Sequence, residues 1–238
     1  MDNGRTMSTP PWLSIVMPVL DEAASLGPAL QALQRWRAGG AELIVVDGGS
    51  LDGSLQVASP WADLALTAPR GRAAQMNAGA ARAQGQWLLF LHADTRLPEA
   101  GLDALERLDR AACWGRFDVQ IDDPALVLRM VSFMINLRSR CTAVTTGDQA
   151  MFVRREVFEQ VGGFPDIALM EDIALARKLK ALARPVCLRP AVWTSARRWR
   201  RHGIWRTIWL MWRLRAAFFW GADPDDLARR YGYRPRER

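Results

Sequence analysis

Glu42-Leu43-Ile44-Val45-Val46-Asp47-Gly48-Gly49-Ser50-Leu51-Asp52-Gly53 is the stretch whose reading decides the fold class. Residues 42–46 form a short apolar run rich in branched side chains, which suits a strand buried on both faces. The run ends in acids, serine and glycines, and glycine allows backbone turns that residues with a Cβ resist. The flanking sequence repeats this strand-and-turn unit. Upstream, 13–17 reads as a strand stopped by Pro18, and 26–36 as a helix with Leu26, Leu30 and Leu33 on one face. Downstream, 62–66 is a weaker strand, 71–84 an alanine-rich helix, 87–91 a strand running into His92-Ala93-Asp94-Thr95, and 99–112 a helix. Such alternation predicts an α/β fold with a mostly parallel central sheet flanked by helices.

Beyond this point 117–121 and 149–153 read as strands. Asp122-Asp123-Pro124 starts an apolar helix that runs to Leu137, 155–161 is a short helix closed by Gly162-Gly163, and 171–183 is a longer one. A chain of 238 residues, half of them apolar, suits one well-buried domain rather than two. The expected organisation is a flexible N-terminus over 1–12, a domain over 13–199 and a basic, amphipathic helical extension over 200–238.

The net charge of +7 is unevenly spread. Residues 1–188 carry 19 basic and 21 acidic side chains, whereas 189–238 carry 13 basic against 4 acidic. The basic character therefore belongs to the tail. There it is interleaved with a continuous apolar helix rather than arranged as a groove-reading motif, so a nucleic-acid partner is not expected. Cys113, Cys141 and Cys187 are odd in number and far apart, which fits reduced structural thiols better than a disulfide framework or a zinc site. The first eleven residues lack the basic, apolar and small-residue order of a secretory signal, and the domain is expected to face the cytoplasm.

Function enters with the acids. Asp21 and Glu22, Asp47, and Asp94 each lie at or just past the end of an apolar strand, and open parallel sheets bind ligands beyond those ends. Any one of these acids alone reads as a cap or turn residue; as a set they suit a shared crevice. Clustered carboxylates raise one another's pKa unless a cation offsets them. Oxygen ligands point to Mn2+ or Mg2+, ions that share their coordination sphere with substrate phosphates. His92 tilts the choice toward Mn2+ if it coordinates; its alternative is a strand-end imidazole bonded to backbone. Arg70 and Arg72, at the start of an alanine-rich helix that contains Asn77, could fork onto a diphosphate.

These residues carry a family resemblance. Met17-Pro18-Val19-Leu20-Asp21-Glu22, Val46-Asp47-Gly48-Gly49-Ser50-Leu51-Asp52-Gly53, Phe90-Leu91-His92-Ala93-Asp94 and Gly162-Gly163-Phe164 with Glu171-Asp172 stand in the order found in family 2 glycosyltransferases of the GT-A fold, and the chain resembles that family. The His-Ala-Asp-Thr form and Thr194-Ser195-Ala196-Arg197-Arg198-Trp199 are similar to a small bacterial branch associated with radical-SAM and selenodomain genes. The resemblance implies a metal-dependent enzyme that moves one sugar, with inversion, from a nucleotide-diphosphate sugar to an acceptor hydroxyl. It implies that Pro18, Asp21 or Glu22 and Asp47 line the nucleoside pocket, and that Asp94 holds the metal. Asp172, beside Glu171, serves as general base, and Arg70, Arg72, Arg197 and Arg198 offset charge on the leaving diphosphate. A uridine diphosphate sugar is the family's commonest donor. His92 replaces the first Asp of the family's Asp-x-Asp motif, and Ser195 replaces the Gln that processive members carry, which points to single transfer. A non-catalytic nucleotide-sugar-binding protein of the same fold is an alternative. A nucleotidyltransferase is disfavoured, because no glycine-rich loop follows the first strand.

The helix at 204–220 is aromatic and apolar but is interrupted by Arg206, Arg213 and Arg215. Central arginines disfavour spanning a bilayer. It is expected to lie in a membrane interface, where it would suit a lipid-linked acceptor on the inner face of the cell membrane, or to pack on its own domain or on a second subunit as a homodimer.

Overall fold

The computed structural model describes residues 10–233; most of the 1–12 segment and the last residues of the 200–238 extension lie outside them. The first half comprises β1 (Leu13–Val19), α1 (Ala23–Ala32), α2 (Gln34–Ala38), β2 (Ala41–Asp47), α3 (Ser54–Ala58), β3 (Leu64–Thr67), α4 (Arg72–Ala80) and β4 (Trp87–Phe90). Then come β5 (Thr95–Arg96), α5 (Gly101–Glu106), β6 (Trp114–Asp122), α6 (Leu126–Thr142), β7 (Phe152–Arg154), α7 (Arg155–Gln160) and α8 (Glu171–Leu182). The chain continues through β8 (Val186–Ser195), α9 (Arg197–His202), α10 (Ile204–Phe219) and α11 (Pro224–Tyr231).

Among the described residues, all eight strands form one sheet in the order β3-β2-β1-β4-β7-β6-β8-β5. β3, β2, β1 and β4 are mutually parallel, β7 runs against both β4 and β6, and β5 runs against β8. The result is the GT-A architecture, a mixed but mostly parallel sheet with helices on both faces. Strand alternation explains the two-sided core. Ile15, Met17, Leu43 and Val45 pack on one side with Leu26, Leu30 and Trp36 of α1 and α2. Val16, Ile44 and Val46 pack on the other with Met76 of α4 and Leu175 and Leu179 of α8.

Three expectations are corrected. Pro18 does not stop β1, which continues to Val19 with Pro18 opposite Val46. The β1–β4 register ends earlier, at Val16 and Phe90, so Pro18 lies where that neighbour has already left the sheet. The predicted helix 99–112 shrinks to α5, and the 26–36 helix breaks at Leu33 into α1 and α2. β8 lay outside the expected elements because Pro190 interrupts its pattern. It pairs with β6 at Leu188↔Phe117 and resumes at Ala191↔Asp118, so Arg189 and Pro190 are looped out in a bulge that removes the need for a proline N–H.

β6 is tightly clasped where it joins the two halves of the sheet. A Cβ at Gly115 would stand 2.3 Å from the Val186 carbonyl oxygen and 2.4 Å from the Phe152 ring. Neither neighbour can withdraw, since one is backbone and the other a buried aromatic. Gly115→Ala is therefore expected to lower unfolding stability by about 2 kcal/mol or more. Urea denaturation with an unchanged m-value measures it, and an unchanged midpoint would show that the clasp yields.

Candidate active site

The carboxyl ends of β1 and β2 are held by one buried side chain. Gln75 of α4 donates from Nε2 to the Val19 and Val46 carbonyl oxygens, 2.8 Å each, bridging the two strands where their ladder ends. The loops beyond are tied to each other. Ser50 Oγ accepts the Asp21 N–H at 2.9 Å, and Asp21 Oδ1 accepts the Leu51 N–H at 2.9 Å. Asp21 itself takes a left-handed φ of 52°, which acidic residues tolerate better than most. Asp47 accepts the Gly49 and Ser50 N–H groups, 2.9 Å each, and the Ser50 hydroxyl.

A cleft of about 430 Å³ opens beyond these strand ends, with Asp94, His92, Asp148 and Asp172 in its lining. The peptide carbonyl of Asp94 accepts the Ser195 N–H at 3.1 Å, so the end of β8 is fastened beside the end of β4. Asp172 sits in the first turn of α8, entered through Met170 with a left-handed φ of 68°. That unfavourable backbone aims the helix start into the cleft. Each Asp172 oxygen accepts one backbone N–H, Oδ2 from Gly147 at 2.6 Å and Oδ1 from Ile173 at 2.7 Å. The two bonds fix the orientation of the carboxylate.

Glu171 points the other way and is 3% exposed. Its Oε1 meets Arg72 Nε at 3.1 Å, an ion pair between the starts of α8 and α4. Arg72 is held charged, its pKa raised chiefly by Glu171. Burial pushes the Glu171 carboxyl upward, opposed by Arg72. His92 lies half-buried against Gly147, where a Cβ would come within 2.6 Å of its Cε1. Burial, with Arg72 second, holds the His92 pKa below its usual range in spite of Asp94, Asp148 and Asp172 nearby. The ring is thus kept neutral, the form that offers a lone pair.

The expected residues divide into two groups. Pro18, Glu22, Arg72, His92, Asp94, Asp172 and Arg198 line the cleft. Asp21, Asp47, Arg70, Asn77, Glu171 and Arg197 are not in its lining. Asp47 and Asp21 organise the turns just described. Asn77 clamps α4 to Phe164, donating to its carbonyl at 2.8 Å and accepting its N–H at 3.0 Å. Arg197 pairs with Glu22 at 3.1 Å, and Arg70 stacks 5.7 Å from the Tyr233 ring centroid.

Sequence reasoning passed over Asp148, Tyr231, Tyr233 and Arg215 as site residues, and all four line the cleft. Asp148 Oδ1 and Arg215 Nε are buried without a hydrogen-bond partner, as are Nε and Nη2 of Arg138 on α6. Burial and the neighbouring Arg215 push the Arg138 pKa down to about 10. Buried polar atoms left open around a cleft are places for ligand atoms. The signal for Arg215 was present in the sequence, as an arginine set into an apolar helix. Asp148 carried none. Among the described residues no group of three or more His, Cys, Asp or Glu side chains is gathered closely enough to hold a metal unaided.

Comparison with known proteins adds the following. Residues 14–162 match the family described as glycosyl transferase family 2. A PGL/p-HBAD biosynthesis glycosyltransferase of Mycobacterium tuberculosis is 33% identical over 174 residues, 65% of this chain and 63% of the relative. The chain thus spans 63% of the length of such curated relatives. In structure, it is similar to a mannosyltransferase from Pyrobaculum calidifontis in complex with GDP-Man and Mn2+, with TM-score 0.64, 18% identity and coverage of 95% of this chain and 70% of that one. It is also similar to TarS of S. aureus in complex with UDP-GlcNAc, with TM-score 0.63, 18% identity and coverage of 77% and 58%.

The Arg72–Glu171 pair generates a stability test. Arg72→Ala strands a buried carboxylate and is expected to cost about 3 kcal/mol. Replacing both partners by Met removes the uncompensated charge and should recover most of that loss. Chemical denaturation of both variants checks this, and a double variant no better than the single would show that the ion pair is not the cause.

Proposed function

The chain belongs to glycosyl transferase family 2, and on that premise we propose that it moves one sugar from a nucleoside diphosphate sugar to an acceptor hydroxyl with inversion at the anomeric carbon. The observation that carries this reading is the meeting of Asp94 and Asp172 in one cleft with Arg72, Arg198 and Arg215. The UDP-GlcNAc bound by TarS and the GDP-Man bound by the mannosyltransferase support a nucleotide-sugar donor, and a uridine diphosphate sugar is our preferred donor class. The His92-Ala93-Asp94-Thr95 strand end supports placing the chain in the radical-SAM and selenodomain-associated branch. Residues 13–199 form the catalytic domain in this reading. The 200–238 extension completes its cleft through Arg215, Tyr231 and Tyr233.

Asp172 is the general base. Its two oxygens each keep a lone pair after accepting one N–H, so it can take the acceptor's hydroxyl proton as that oxygen attacks. The new carbon–oxygen bond forms on the sugar face opposite the diphosphate while the bond to the diphosphate breaks. Negative charge then collects on the departing phosphate. The guanidinium groups of Arg72, Arg198 and Arg215 offset it in a partly desolvated site. Glu22 lines the donor side, held by Ser25 at 2.7 Å and by Arg197 at 3.1 Å.

The donor set fits a divalent ion that completes its shell with phosphate oxygens and water. Asp94 is a hard ligand and the His92 ring could add a nitrogen, so most of the shell would come from the donor's phosphate oxygens and water. Asp94 would be the principal holder, and the ion, Mn2+ or Mg2+, would act as a Lewis acid on the leaving group.

Release of nucleoside diphosphate from a panel of sugar nucleotides in Mn2+, with water as acceptor, tests the reading. Asp172→Asn is expected to lower the rate about 100-fold or more at similar donor affinity. Asp94→Ala is expected to remove the Mn2+-dependent part of donor binding. Equal rates for the native chain and both variants would refute the catalytic assignment.

A further inference from the structure

The outer surface of the molecule carries two apolar stripes that the transfer chemistry does not use. On α6, Leu126, Met130, Phe133, Met134 and Leu137 recur at helical spacing on one face and are 42–77% exposed. On α10, Trp205, Trp209, Trp212 and Phe219 do the same, 63–73% exposed, and Trp220 follows at the helix end. Soluble surfaces rarely leave so many large apolar side chains together without a partner.

The two helices are neighbours through shared apolar clusters. Val127 and Val131 of α6 share an apolar cluster with Ile204 at the start of α10. Val144, just past α6, shares another with Leu214 and Leu210. Between them Arg138 and Arg215 are near enough to repel. An adjoining face of α10 lines the cleft through Thr207, Met211 and Arg215. α10 therefore joins an exposed apolar stripe to a wall of the cleft, with the stripe of α6 on a neighbouring helix.

Charge identifies the occupant. α6 carries Arg129, Arg138 and Arg140, α10 carries Arg206, Arg213 and Arg215, and neither helix has an Asp or Glu. Arg129, Arg206 and Arg213 are exposed at the flanks of the stripes, and Arg213 stacks 4.5 Å from the Trp209 ring centroid. A second copy docked face to face would set these arginines against their own equivalents with no carboxylate on either helix to pair them. Anionic lipid headgroups supply the missing charge, and tryptophans with snorkelling arginines suit the headgroup layer. Among the described residues no helix is long and apolar enough to cross a membrane, so the surface would rest on the bilayer.

We propose that α6 and α10 together form a monotopic docking face for an anionic lipid bilayer, which sets the cleft beside the headgroup layer. This extends beyond the tail helix to α6, and it needs no assumption about donor or mechanism. The test is flotation of the full chain with phosphatidylglycerol–phosphatidylcholine vesicles and with pure phosphatidylcholine. The native chain is expected to float with the anionic vesicles and much less with the neutral ones. Met130→Glu/Phe133→Glu on α6 and Trp209→Glu/Trp212→Glu on α10 should each reduce the bound fraction on the order of tenfold. Cooperative thermal unfolding and an unchanged circular dichroism spectrum show that the variants are folded. A native chain that does not float, or an α6 variant that floats like the native chain, overturns the proposal. So does a native dimer in sedimentation that the α6 variant turns into monomer, since the face would then belong to a second copy.

Discussion

A carboxylate that folding takes out of water must find a cation, and here that requirement joins the two halves of the molecule. Glu171 is 3% exposed, and the charge it meets comes from Arg72 on α4, nearly a hundred residues earlier in the chain. Desolvating the Glu171 carboxylate costs several kcal/mol, so its burial is tolerable only with Arg72 in good geometry beside it. That geometry sets the start of α8 against the start of α4. Asp172, the next residue, is thereby turned into the cleft, where two backbone N–H groups fix its carboxylate. One ion pair thus helps to set where Asp172 stands relative to the strand ends.

The rest of the site is assembled around that junction by polar side chains that satisfy backbone. Gln75 bridges the carbonyls where β1 and β2 part. Asp47 and Asp21 order the turns that follow. β8 brings Ser195 to the peptide of Asp94, and the tail that follows returns Arg198 to the same cleft, its guanidinium 3.7 Å from the Tyr231 ring centroid. The tail packs on α8 through Leu214, Leu227 and Ile173. Its cleft-lining side and its exposed apolar side belong to the same helix, which couples any binding surface outside to the wall inside.

Much of this was legible before any coordinates. The strands at β1, β2 and β4 announce themselves by runs of branched residues, and their terminal acids by position. Legibility failed where tertiary context overrode local pattern. Pro190 concealed β8 because a bulge that accommodates a proline leaves no trace in alternation. Asp47 stands out from its place at a strand end, but that its side chain also accepts the Gly49 and Ser50 N–H groups of the turn is a property of the folded loop. Asp148 was invisible because its importance comes from a buried, unpartnered oxygen, a property of packing and not of spacing. The exposed stripe of α6 was hidden in the same way, since an apolar helix reads as core until its neighbours are known.

The central claim is that one cleft, with Asp94 and Asp172 on its walls, receives the diphosphate of a sugar nucleotide. A crystal structure grown with uridine diphosphate and Mn2+ measures this most directly. The account predicts the diphosphate bound within the cleft, the ion shared between its oxygens and Asp94, and Asp172 facing the open side where an anomeric carbon would sit. A nucleotide bound elsewhere, or an ion held away from Asp94, contradicts it.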